Sequence, residues 1–261
     1  QKEFEDNTGT VVKKKKGKKK NKHKKGDDAE DSSTKSGADV WLQVEESINL
    51  GKSREKLFIG TEGLHDNNKV LLATFDELQQ IEKKGGCHAV YNDGTAAWRI
   101  NTLSGNTNNP ASLCPPLEST GPPTMVLGGF TMHRIKGENM NPQVDTKAKI
   151  RGSRLFTSAT VLDTCCGLGY TAIEAAAKAK EGLVVTIEYD DASVEMCAHN
   201  PYSQALFTSE NGHNNLVGLK GDSCQVIKHM HDNVFDVIIH DPPARALCAT
   251  SDMYGLKFYK D

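Results

Sequence analysis

Residues 161–175 read VLDTCCGLGYTAIEA. An apolar tripeptide of strand character ends in an acid, Asp163. Glycines stand at 167 and 169, and helix formers follow. A strand that turns through glycines into a helix is a common ligand seat, because glycine lacks the Cβ that would keep a ligand off the backbone.

The pattern extends outward on the C-terminal side. TVLD, TAIEAAAKAK, LVVTIEYD, DASVEMCAHN, LVGLKGD, SCQVIKHMH and FDVIIHD alternate strand-like and helix-like texture, which predicts a parallel sheet flanked by helices. Upstream the texture is mixed. KVLLATF (69–75) reads as a buried strand. TFDELQQIEKKGG reads as a helix, with Thr74 and Glu77 forming a capping box and Gly85 as its stop. CHAVYNDGTAAWRI predicts two strands around an Asn-Asp-Gly turn, residues 101–123 a loop, and TMVLGGFTMHRI a second hairpin turning at Gly128-Gly129. Residues 55–135 are thus expected to form a small α+β domain.

Residues 13–25, KKKKGKKKNKHKK, hold ten lysines and no apolar side chain, so residues 1–38 are expected to be a disordered lysine-rich tail. The run suits loose contact with polyanions, or a nuclear address. Those ten lysines supply +10 of a formal net charge of −2, so the rest carries −12. Bulk charge therefore gives no support for phosphate-backbone binding by the body. No apolar run approaches the ~20 residues of a membrane span. Seven cysteines without CxxC spacing suit reduced thiols, hence a cytoplasmic or nuclear setting, and the nine histidines show no metal spacing.

Two cofactors compete for the glycine turn. Gly167-Leu168-Gly169-Tyr170-Thr171-Ala172 fits the G-x-G-x-x-G/A pattern, and Glu188 lies 19 residues beyond Gly169, where a ribose hydroxyl is bound in nicotinamide enzymes. Three features favour S-adenosylmethionine instead. Asp163, just ahead of the glycines, suits a cofactor with an ammonium group and would repel a pyrophosphate. Asp222, after the third strand, can accept from an adenine amine. Asp241-Pro242-Pro243 closes the fourth, so four strands end in polar groups along one crevice.

With these motifs in order (VLDTCCGLGYTA, VVTIEYD, GDS and IIHDPPAR), the segment from about residue 133 onward resembles class I S-adenosylmethionine-dependent methyltransferases. It is closest to an archaeal and eukaryotic group with D-T-C-x-G-L-G-Y-T-A and H-D-P-P motifs. The resemblance implies that Gly167 and Gly169 admit the methionine part, that Glu188 holds the ribose, that Asp222 lies by the adenine and Asp241 beside the methyl. The expected fold is α/β: a Rossmann-like methyltransferase domain over 142–261, the small N-terminal domain and the tail. Such a sheet has seven strands. Only four are visible, and the chain starts at Gln1, so it reads as a fragment of a longer protein.

The chemistry expected at Asp241-Pro242-Pro243 follows from its residue types. Each proline fixes φ, so the motif offers a carboxylate and a rigid carbonyl to one amine and aims its lone pair at the methyl. The aromatic residue that often follows such a motif is absent, since Ala244 and Arg245 stand there, leaving Tyr254, Phe258 or Tyr259 to supply a ring face. The acceptor, an amine on a small molecule, RNA or protein, is not named by the sequence. Aminopropyl transfer, an NAD-dependent reaction and a non-catalytic binding module are the competing readings.

Overall fold

The computed structural model describes residues 10–11, 41–117, 121–135, 140–207, 213–248 and 251–260. Most of the expected lysine-rich tail lies outside them. Within it, Thr10–Val11 form a short strand, β1, a departure from expectation: these β-branched residues precede the lysine run and have a partner strand to pair with.

The N-terminal unit begins at Leu42, not at residue 55. Strands β2 (Leu42–Ile48), β3 (Ser53–Ile59), β4 (Gly63–His65) and β5 (Leu71–Thr74) form one antiparallel sheet in sequence order. Helix α1 (Phe75–Lys84) follows with its capping box complete. The Glu77 amide donates to the Thr74 hydroxyl at 3.2 Å, and the Thr74 amide to the Glu77 carboxylate at 2.8 Å. Strands β6 (His88–Val90) and β7 (Trp98–Arg99) pair as expected, but across a longer loop in which Asn-Asp-Gly is only the tip. β1 adds to the other edge of β6.

The segment read as a loop, 101–123, holds two strands, β8 (Asn101–Leu103) and β9 (Pro110–Cys114). Its Asn, Pro, Ser and Gly content hid them. Pro110 is tolerated because it opens its strand, and Ala111 and Leu113 alternate inward. β10 (Thr124–Leu127) and β11 (Phe130–Thr131) make the expected hairpin, with Gly128 and Gly129 at φ 53° and 86° as a two-residue turn requires. The four strands lie in the order β11-β10-β9-β8.

The second half opens with a helix not expected from the sequence, α2 (Pro142–Ser153), and continues as the predicted α/β alternation: β12 (Thr160–Asp163), α3 (Tyr170–Lys178), β13 (Leu183–Glu188), α4 (Asp191–Ala198), β14 (Leu216–Lys220), α5 (Ser223–Val226) and β15 (Val237–Ile239). All strand pairs are parallel, in the order β14-β13-β12-β15. Val161 and Val184 pack on one face against Ala172, Ala175 and Ala176, whose small side chains bring α3 close to the sheet. Leu162 and Val185 pack on the other face. No helix among the described residues is long and apolar enough to cross a membrane.

The two halves share a core. Ala111, Leu113 and Met125 of the N-terminal unit lie in one buried cluster with Leu168, Tyr170, Ala192 and Met196. The Tyr170 hydroxyl donates to the Pro123 carbonyl at 2.8 Å, and that of Tyr202 to the Leu50 carbonyl at 3.0 Å.

Candidate functional site

The C-terminal ends of the four parallel strands bring the predicted acids to one edge of the sheet, where open α/β sheets bind ligands. Asp163, the last residue of β12, is 1 % exposed. Its Oδ2 accepts from the Thr186 hydroxyl at 2.7 Å, while its Oδ1 has no hydrogen-bond partner. The Cys165 amide is near enough to favour the charged form, without the geometry of a hydrogen bond. Burial dominates and pushes the carboxyl up to about 7. A buried carboxylate oxygen without a donor is a costly arrangement that a cationic or N–H-bearing ligand would relieve.

Glu188 ends β13 and ties the site together. Its Oε2 accepts from the Gly167 amide at 2.7 Å and its Oε1 from the Asp190 amide at 2.8 Å. Burial raises its carboxyl to about 7 against the pull of these donors. Gly167 and Gly169 both have positive φ, at 57° and 77°. A Cβ on Gly167 would stand 2.8 Å from the Met132 sulfur, and one on Gly169 2.4 Å from Leu206 Cδ1, so glycine is favoured at both. Asp222 caps α5, accepting from the Cys224 amide at 2.9 Å. It also lines a cleft of about 210 Å3 with Lys228, Lys257 and Phe258.

Asp241 is half exposed, and its Oδ2 meets Lys149 Nζ at 2.6 Å. Lys149 comes from α2 and also pairs with Asp145, one turn earlier, at 2.8 Å. Burial lowers its pKa, but hydrogen bonds and charge from the two acids outweigh that and leave it raised. Sequence reasoning missed this lysine. Its one local signal, the Asp-x-x-x-Lys spacing, reads as an ordinary surface pair.

Next to Asp241, the carbonyls of Pro242 and Pro243 face Tyr254, whose hydroxyl donates to that of Pro243 at 2.7 Å. Tyr254 therefore reaches the motif, while Phe258 and Tyr259 pack on His240. His240 Nε2 faces the Met253 carbonyl at 3.0 Å and must carry a hydrogen there. In the neutral ring Nδ1 then accepts from Thr164 at 2.8 Å. Burial lowers this imidazole's pKa, in keeping with the neutral form. Cys165 and Cys166 are free thiols pushed upward by burial, as packing residues are.

The N-terminal unit also reaches the site, which the sequence did not disclose. Met132 presses on Gly167, and His133 stacks on Tyr170 with ring centroids 5.0 Å apart. Thr107 donates to Asp190 Oδ2 at 2.5 Å. Asn106 donates to the Tyr189 carbonyl and accepts from the Asp191 amide at 3.3 Å.

Residues 141–261 match the family model described as methyltransferase small domain. The chain is also 35 % identical over 226 residues to MJ1233, an uncharacterized protein of Methanocaldococcus jannaschii, covering 85 % of this chain and 70 % of that protein. The chain belongs to the MJ1233 family. Because residues 141–261 are fewer than half of the chain, this match takes in the N-terminal unit as well. Among solved structures, Trm5b from Pyrococcus abyssi is similar at 16 % identity and a TM-score of 0.32, over 80 % of this chain and 42 % of that one. The spermidine synthase of Thermotoga maritima is similar at 18 % and 0.39, over 60 % and 51 %. The chain spans about half or less of those two structures' lengths, and at such TM-scores the likeness decides nothing further.

Proposed function

We propose that this MJ1233-family chain is an S-adenosylmethionine-dependent methyltransferase acting on an amine. The observation that carries the reading is the buried Asp163 oxygen without a donor, at the foot of the glycine turn. It fits an ammonium group and would repel a pyrophosphate. The residues around it fit the rest of such a cofactor. Gly167 and Gly169 make the left-handed turn between Asp163 and α3, with Met132 and Leu206 packed beside them. Glu188 keeps lone pairs for ribose hydroxyls beyond the two amides it already accepts, and Asp222 borders a cleft at the end of β14.

When bound, the cofactor supplies a methyl group activated by its sulfonium. The chain's task is then to hold a neutral amine in line with that methyl and exclude competing poses. Asp241 and the Pro243 carbonyl are the acceptors that would take the amine's N–H groups and leave its lone pair free. Tyr254 now donates to that carbonyl, so the acceptor has to displace its hydroxyl or bind beside it.

Isothermal titration with S-adenosylmethionine, its decarboxylated analogue and NAD tests the reading. Binding of S-adenosylmethionine and none of NAD is expected. Glu188→Ala should weaken it by about 1–3 kcal/mol, as unpaired ribose hydroxyls would. Tight NAD binding without affinity for the sulfonium cofactor overturns the reading, and preference for the decarboxylated analogue redirects it to aminopropyl transfer.

A further inference from the structure

We propose that the N-terminal unit forms part of the cofactor site, with Asn106 and Thr107 as positioning residues that hold Glu188 and, through it, the glycine turn. This rests on the methyltransferase reading above and adds a part that the methyltransferase half does not itself contain.

The geometry is a relay of three hydrogen bonds. Thr107 Oγ1 donates to Asp190 Oδ2 at 2.5 Å, the Asp190 amide donates to Glu188 Oε1 at 2.8 Å, and the Gly167 amide donates to Glu188 Oε2 at 2.7 Å. Asp190 is 6 % exposed, and its other oxygen caps α4 at the Ala192 and Ser193 amides, so its carboxylate has a fixed direction. Asn106 grips the same turn from outside. Its amide nitrogen donates to the Tyr189 carbonyl and its oxygen accepts from the Asp191 amide, while Ser104 holds that oxygen at 2.7 Å. The loop between β8 and β9 is thus fastened to the corner that follows Glu188. At the other end of the turn, Met132 fills the space beside Gly167. Contacts at both ends fix the distance between Glu188 and the glycines, which a ligand spanning ribose and methionine has to match. A cofactor site with only its own half to shape it would have to order this turn on binding, at a cost in affinity.

The test uses the full chain and S-adenosylhomocysteine as probe. In the Asn106→Ala/Thr107→Val variant its Kd should rise about tenfold, a modest loss of preorganisation. Amide hydrogen exchange should quicken at Gly167 and Asp190 by more than at Val161 and Leu162 in β12. Thr107→Ser, which keeps the hydroxyl, should restore much of the binding. Asn106→Ala alone, an exposed site, gives a folded variant should the double one fail, with the same exchange pattern in weaker form. Unchanged affinity in the variants overturns the proposal, as does a loss accompanied by equal quickening throughout β12 and β13. If the unaltered chain binds no S-adenosylhomocysteine, the methyltransferase reading falls and the cofactor role of the relay falls with it. Binding that survives loss of the relay refutes the relay alone.

Discussion

Lys149 and Asp241 stand 92 positions apart in sequence and 2.6 Å apart in the structure. The ion pair joins the helix before the sheet to the loop after its edge strand. It gives a half-exposed carboxylate one defined partner, with Asp145 holding the lysine from its own helix.

Lys149→Met should therefore destabilise the chain by about 1 kcal/mol. The pair with Asp241 is discounted for its exposure, and the larger share comes from Asp145, which is left without its cation. Urea denaturation reads this directly. Asp145→Asn in the Lys149→Met background should recover part of the loss, and no recovery would mean that Asp145 gains nothing from the lysine.

Gly169→Ala should cost more. The residue sits at φ 77°, where an L side chain loses about 1–2 kcal/mol, and the added Cβ would lie 2.4 Å from Leu206 Cδ1. The midpoint of thermal unfolding should fall, and Leu206→Ala in the same chain should relieve the clash but not the backbone strain. Wild-type stability in Gly169→Ala would refute the left-handed turn.

Two buried groups make stability depend on pH in opposite directions. Asp163 has its folded pKa raised from 3.8 to about 7, so the folded chain holds a proton that the unfolded chain has released. Its contribution is fully present below 3.8 and is lost as pH rises to about 7. His133 is lowered from 6.5 to about 4, chiefly by burial, so its contribution is present above 6.5 and lost as pH falls to about 4. Relative to the unaltered chain, Asp163→Asn should remove a downward slope of stability with pH, and His133→Gln an upward one. Denaturation series between pH 4 and 8 separate them, and parallel curves for all three chains would show that neither group titrates as its burial demands.

The periodic elements were legible because each carries its signal locally. The Thr74–Glu77 box, the Gly128-Gly129 turn and the four parallel strands are all local patterns, and all stand in the structure, with Asp163 and Glu188 closing β12 and β13 and Asp222 and Asp241 two residues beyond β14 and β15. β8 and β9 were obscured because an Asn- and Pro-rich composition outweighed the alternation of Ala111 and Leu113. Lys149, Asn106 and Thr107 were out of reach for another reason. Their partners lie 83 to 92 positions away, and nothing near an asparagine or a lysine indicates which distant carbonyl or acid it will meet. His133 was, in sequence, one of nine histidines without metal spacing, and the structure stacks it on Tyr170 at the rim of the candidate site.

The core shared by the two halves has a consequence during synthesis. Leu113 and Met125 emerge from the ribosome well before Ala192 and Met196, which cover them in the finished chain. At ordinary translation rates the interval is on the order of several seconds. During that time the nascent N-terminal unit carries an apolar face with no covering partner. That face is a natural client for a ribosome-associated chaperone, and arresting translation between β11 and α4 should leave nascent chains that aggregate or stay chaperone-bound until α4 has been made.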